Sequence, residues 1–177
     1  MKNLCLFLVL VVGALGLVSV RAQDKPLDVV DRVDLTRYVG TWYEIATIPQ
    51  RFQKDCVGVT ATYSLRPDGK ILVINRCRKK TLDGELRDIE GKAWVVDTKT
   101  NAKLKVQFFW PFSGDYWIIE LDKDYGWAVV GQPDRNYLWI LSRTPRMDQA
   151  LYDDLINRVG NKGYDIARIK PTLQPTE

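Results

Sequence analysis

The 177-residue chain contains no histidine. Histidine titrates near neutral pH and is the usual general base and the commonest metal ligand. Without it there is no Ser-His-Asp triad, no Cys-His pair and no HExxH zinc site. Cysteine is scarce too: Cys5, Cys56 and Cys77 include no CxxC spacing, which argues against dithiol redox chemistry and cysteine-rich metal sites. Low-complexity tracts and internal repeats are absent, and past Val20 no apolar run approaches membrane-spanning length. Charge of either sign is nearly balanced, with 26 basic and 22 acidic residues, so nothing calls for nucleic acid. These absences point away from hydrolases and metalloenzymes and toward a binding protein that needs no cofactor.

What is present begins with an export signal. Lys2 precedes an apolar stretch from Leu4 to Val20, and Val20-Arg21-Ala22 carries small residues where a signal peptidase reads them. The expected organisation is a signal peptide over residues 1–22 and one domain over 23–177, exported to a periplasm or secreted. The rival reading of the leader is a retained anchor. Cys5 lies too early to accept a lipid. Removing Lys2 and Arg21 leaves 24 basic residues against 22 acids, a net charge of +2. Two thiols remain, Cys56 and Cys77, and in an oxidising compartment the simplest outcome is one disulfide.

The mature chain reads as strands at short intervals: 41–48, 57–65, 70–78, 87–96, 103–109, 116–121, 127–131 and 137–143. All are rich in Val, Ile, Thr and aromatics, and Gly/Asp/Pro turns separate them. With no helical pattern between them, consecutive strands pair antiparallel. The expected fold is all-β: an eight-stranded antiparallel up-and-down β-barrel, closed so that no sheet edge is exposed. Met147, Leu151, Leu155 and Val159 recur every four residues, with Tyr152 and Ile156 alongside, predicting one C-terminal α-helix packed outside. Asp148 can open it and Gly160 or Gly163 can end it. Residues 164–169 then read as a short strand, and 33–38 as a helical turn plugging one end.

Three stretches in this order resemble the lipocalin family. They are Gly40-Thr41-Trp42-Tyr43-Glu44, Val130-Gly131-Gln132-Pro133-Asp134-Arg135-Asn136-Tyr137, and Leu141-Ser142-Arg143. The likeness spans roughly residues 33–171 and is nearest the bacterial group related to apolipoprotein D and plant temperature-induced lipocalins. The chain departs from that group in its Cys56–Cys77 pair and in lacking a lipoprotein leader, which makes lipid anchoring unexpected. The resemblance implies a barrel floor built from Gly40, Trp42 and Arg143, with the guanidinium over the indole ring.

It also implies a ligand-binding interior. Strand alternation from Arg143 turns Leu141, Trp139 and Tyr137 inward; alternation from Trp42 turns Glu44 and Ala46 inward. The resemblance adds Val59, Ala61 and Tyr63, then Val73 and Asn75, then Leu104, Val106 and Phe108, then Tyr116, Ile118 and Glu120. The ligand-binding set is thus Tyr63, Val73, Asn75, Val106, Phe108, Tyr116, Ile118, Glu120, Tyr137 and Trp139: apolar walls with a few polar handles. A hairpin pairing Arg66 with Gly69 sets the register of strands two and three. On that ladder Cys56 faces residue 79, so a bulge at Gly58 is needed to bring it to Cys77.

The expected function is reversible carriage of a small hydrophobic ligand, a fatty acid or lysophospholipid, by a non-catalytic protein that is a monomer or weak dimer. Arg51, Lys54, Arg78, Lys79, Lys80, Arg87 and Arg135 lie in or beside the open-end loops, where they would attract an anionic headgroup or simply form a solvated surface. Phe109-Trp110-Pro111-Phe112 stands where a polar turn is usual, as a lid, a transient membrane contact or a dimer face. The enzymatic alternative rests on Glu44 or Glu120 acting as a buried acid.

Overall fold

The computed structural model describes residues 25–176, so the expected signal peptide and Cys5 lie outside the described residues. Eight strands form in chain order: β1 (Gly40–Thr47), β2 (Cys56–Leu65), β3 (Ile71–Lys79), β4 (Leu86–Val95), β5 (Lys103–Phe109), β6 (Phe112–Leu121), β7 (Trp127–Gly131) and β8 (Leu138–Ser142). Each pairs antiparallel with its sequence neighbour. β1 pairs with both β8 and β2, which closes the barrel. Helix α1 (Leu35–Tyr38) plugs one end, opened by the Asp34 carboxylate accepting from the Thr36 amide. Helix α2 (Gln149–Asn161), capped by Asp148, lies outside.

Apolar side chains sort into two layers. Trp42, Val73, Leu104, Ile118 and Val130 fill the lower interior of the barrel. Ala46, Ile119, Val129, Ile140, Leu155 and Val159 are sandwiched between the wall and α2. Leu155 and Val159 are wholly buried, as the four-residue periodicity predicts.

Four departures from strict register decide which side chains face the cavity, and a further shift lies between Val106 and Phe109 in the β5–β6 ladder. The β2–β3 loop is Pro67-Asp68-Gly69, with Gly69 at φ +77°, and the Arg66 amide donates to Lys70 rather than Gly69. A left-handed glycine closing a three-residue loop adds one residue to the turn. That shift puts Tyr63 opposite Val73 and Ala61 opposite Asn75, so each pair shares a face.

The bulge at Gly58 is present, with φ +57°. Cys56 still faces Lys79, and its disulfide reaches diagonally to Cys77 across a Cα–Cα distance of 5.4 Å. A second bulge at Ile45 turns Ala46 away from the interior and under α2, against the strict phase from Trp42. A third, at Ile119, leaves Ile118 facing Val130 and Glu120 facing Val129.

The expected strand at 164–169 is instead a 3₁₀ turn (Ile166–Arg168), started by the Asp165 side chain accepting from the Ala167 amide. Strand β9 is only Lys170–Pro171, paired with Ala46 and Thr47. The C-terminal tail beyond it completes the barrel wall. Pairing of β1 with β2 stops at Tyr43–Thr60, and the tail fills the opening past that pair. Thr172 donates its amide to Ile45, Leu173 accepts from Gly58, and the Gln174 side-chain amide donates to both Glu44 and Val59 carbonyls at 2.8 Å. The tail thereby satisfies backbone groups that the splayed strands leave unpaired.

Candidate ligand-binding cavity

The closed end is held by one cation. The Arg143 guanidinium lies 3.8 Å from the centre of the Trp42 ring and donates to the carbonyls of Arg37, Val39 and Thr41 at 2.8–3.0 Å. Three of its carbonyl partners, Arg37, Tyr38 and Val39, belong to the end of α1, so a planar charge serves as the cap of that helix. Trp42 donates its indole N–H to the Tyr38 carbonyl at 2.8 Å. Gly40, at φ +98°, leaves room that a β-carbon would take to within 3.2 Å of Arg143 Nη1. These contacts bind Trp42, Gly40 and Arg143 to the end of α1.

Above it the interior is hollow, with a volume of about 470 Å³, inside the range of small-molecule pockets. Tyr63, Val73 and Asn75 line it from β2 and β3; Val106, Phe108 and Tyr116 from β5 and β6; Tyr137 and Trp139 from the β8 side. Eight of the ten sequence-predicted residues thus meet around one space. The other two do not. Ile118 points inward but is wholly buried in the packed layer beneath the cavity. Glu120 is on the outer face, because the Ile119 bulge reverses its side. There it takes ion pairs from Lys162 at 3.1 Å and Arg158 at 3.4 Å and ties α2 to the barrel.

Among the lining residues outside the predicted ligand-binding set, two groups bear on the chemistry of the cavity. The 3₁₀ turn Arg51–Gln53 brings Phe52 and Gln53 over the opening, where Phe52 stacks on Tyr137 and Tyr137 on Trp139. Strand alternation says nothing about such a loop; an apolar Phe in an otherwise charged segment was the available signal. The second group is Glu44, which alternation from Trp42 does turn inward. It is 4% exposed, and its carboxylate accepts from the Thr172 hydroxyl at 2.6 Å and the Gln53 amide at 3.0 Å. Burial pushes its pKa above the usual carboxylate range, partly offset by those two hydrogen bonds.

Three tyrosines form a chain at the bottom. The Tyr116 hydroxyl lies 2.8 Å from that of Tyr38 and 2.9 Å from that of Tyr63. Burial raises all three pKa values, Tyr63 to about 12, so the hydroxyls stay protonated. Three O–H groups joined by two hydrogen bonds leave one hydrogen over. The mouth, by contrast, is aromatic. Phe109, Trp110 and Phe112 are 69%, 85% and 77% exposed at the tip of the β5–β6 hairpin. They form a rim and do not fold back as a lid.

The expected basic rim is thinner than its count. Arg135 is turned aside, donating to the carbonyls of Lys162, Pro133 and Lys25. Arg78 donates to Gly84, and Arg87 pairs with Glu85. Arg51, Lys54, Lys79 and Lys80 remain exposed near the opening.

A family model described as a lipocalin-like domain matches residues 33–174. Temperature-induced lipocalin-1 of Arabidopsis thaliana is 44% identical over 161 residues, covering 86% of this chain and 85% of that protein. The outer membrane lipoprotein Blc of Escherichia coli is 43% identical over 151 residues, covering 85% of each. Among solved structures, insecticyanin from the tobacco hornworm Manduca sexta superposes with a TM-score of 0.69 at 17% identity, over 86% of both chains. This last likeness speaks for the fold alone.

Proposed function

This chain belongs to the lipocalin family, and we propose that it carries a single-chain lipid, a fatty acid or lysophospholipid, in the barrel cavity outside the cytoplasm. The observation that carries the reading is the hollow itself: about 470 Å³ enclosed by aliphatic and aromatic side chains and open at one end. Burial of the chain supplies the affinity, about 0.8 kcal/mol per methylene, less the costs of ordering both partners. Arg51, Lys54, Lys79 and Lys80 can attract an anionic headgroup that stays at the mouth. The proposed chemistry is binding and not catalysis: Glu120, one of the two candidate acids, faces α2 and not the cavity. Export through residues 1–22 belongs to the same reading.

Trp139→Arg tests it. A buried cation in the upper wall should abolish binding of a fluorescent fatty acid while leaving the far-UV circular dichroism intact. Unchanged affinity would remove the cavity from the mechanism. Mass spectrometry of lipids that co-purify with the protein identifies the natural ligand.

The exposed Phe109–Phe112 tip favours a second, compatible role as a membrane-contact module. On this reading the tip touches a bilayer during loading. Vesicle co-sedimentation of wild type against Trp110→Ser measures that contact, and gel filtration of the same pair measures any dimer formed through the tip.

A further inference from the structure

The cavity carries polar groups at depth that a pocket built only for a fatty-acid tail does not need. Its mouth mixes Phe52, Phe109 and Phe112 with Gln53, Ser113 and Gln132, and further polar groups sit deeper. Register places them. Asn75 faces Ala61, which faces Trp42 of the floor, and Glu44 faces Leu141. Below them lie the linked hydroxyls of Tyr63 and Tyr116.

Those polar groups are incomplete. The Asn75 Oδ1 atom is buried without a hydrogen-bond partner. Glu44 accepts one hydrogen bond on each carboxylate oxygen, both from neutral groups, and each oxygen retains accepting capacity. Among the described residues that line the cavity there is no lysine or arginine. A second pocket that Glu44 also lines holds Arg51, Lys54 and Lys170, but none of them forms an ion pair with it. A buried carboxylate without an ion-pair partner and a buried acceptor with no donor both cost free energy, and a ligand that donates would recover it. A ligand carboxylate brought to this depth would add a like charge and no donor.

We propose that the lower half of the cavity is a subsite for a hydrogen-bond-donating polar group, so that a long-chain amine or alcohol enters polar end first and donates to Glu44 or Asn75. This rests on the carrier reading and adds a ligand class to it. An ammonium supplies the ion-pair partner that Glu44 lacks. A hydroxyl donates to an acceptor and can in turn accept the surplus hydrogen of the tyrosine chain. Fatty acids enter the other way round, tail first, with the carboxylate left at the mouth.

The test uses dodecylamine, dodecanol and laurate at neutral pH, titrated against the fluorescence of the cavity tryptophan in wild type and in Glu44→Gln. The amine should bind more tightly than the alcohol in wild type. In Glu44→Gln the amine should weaken tenfold or more, while the alcohol, which an amide oxygen still accepts, and laurate change less than threefold. The amine-to-alcohol ratio cancels general damage to the barrel, so partial destabilisation of the variant does not blur the result. Asn75→Leu provides a second arm, in which amine and alcohol weaken relative to laurate. An unchanged amine-to-alcohol ratio in Glu44→Gln overturns the proposal. So does a parallel loss of all three ligands in both variants. If wild type binds amine and alcohol with this Glu44 dependence but not laurate, the subsite stands and the fatty-acid reading falls.

Discussion

Replacing Arg143 with methionine should cost about 3.5–4.5 kcal/mol of stability while leaving the cavity walls in place. Methionine keeps most of the apolar stem and removes the planar charge. Nη2 donates to the carbonyls of Arg37, Tyr38 and Val39, Nη1 to Thr41 and Nε to Tyr125, at 2.8–3.3 Å. Three of those contacts share one nitrogen, so the set counts as about three charge-assisted bonds, each contributing about 1.5 kcal/mol at the low end. The stack on Trp42 adds about 1 kcal/mol. Partial rehydration of the surface-facing carbonyls returns about 1–2 kcal/mol of that total. For a domain of this size the net loss lowers Tm by roughly 10 °C. Urea unfolding followed by tryptophan fluorescence measures it. Arg143→Lys should recover only part of the loss, because a point charge can neither cover the indole nor fork to the end of α1. Ligand affinity measured well below the new midpoint should be unchanged. A loss under about 1 kcal/mol in Arg143→Met would show that the carbonyls find other donors and that the floor is held by packing alone.

Two further outcomes are set by the geometry. Replacing Cys56 and Cys77 together with serine opens a link between residues 21 apart and should cost about 3 kcal/mol, read as a lower urea midpoint under non-reducing conditions. Glu44 makes stability depend on pH in a defined direction. Its folded-state pKa is raised above the unfolded 4.5 by burial, so the folded protein holds that proton more tightly. Stability from this site therefore rises as pH falls from above the raised value toward 4.5, and is flat below it. Subtracting the unfolding free energy of Glu44→Gln from that of wild type across pH 4 to 8 isolates this contribution; a difference that stays constant, or falls with decreasing pH, refutes it.

The elements and the cavity were legible in the sequence because both rest on period-two alternation, and alternation survives as long as no residue is inserted. Trp139 and Tyr137 are reached from Arg143 without a bulge, and they line the cavity as that phase requires. Glu120 and Ala46 were misplaced for one shared reason: each lies just past an isoleucine that the ladder skips, Ile119 in β6 and Ile45 in β1. No glycine marks either site, unlike Gly58, so the local sequence carries no sign of them. The sign is tertiary. Both bulges lie where the wall meets α2, and the skipped register turns Ile119 and Ala46 together into the layer beneath Leu155 and Val159. A strand that kept strict alternation there would offer the helix every second side chain. The bulge offers it two in succession, Ile119 to the apolar stripe and Glu120 to the Arg158 and Lys162 edge of the same helix. The docking of α2 thus draws the second carboxylate out of the cavity and leaves Glu44 as the one carboxyl among the described residues that line it.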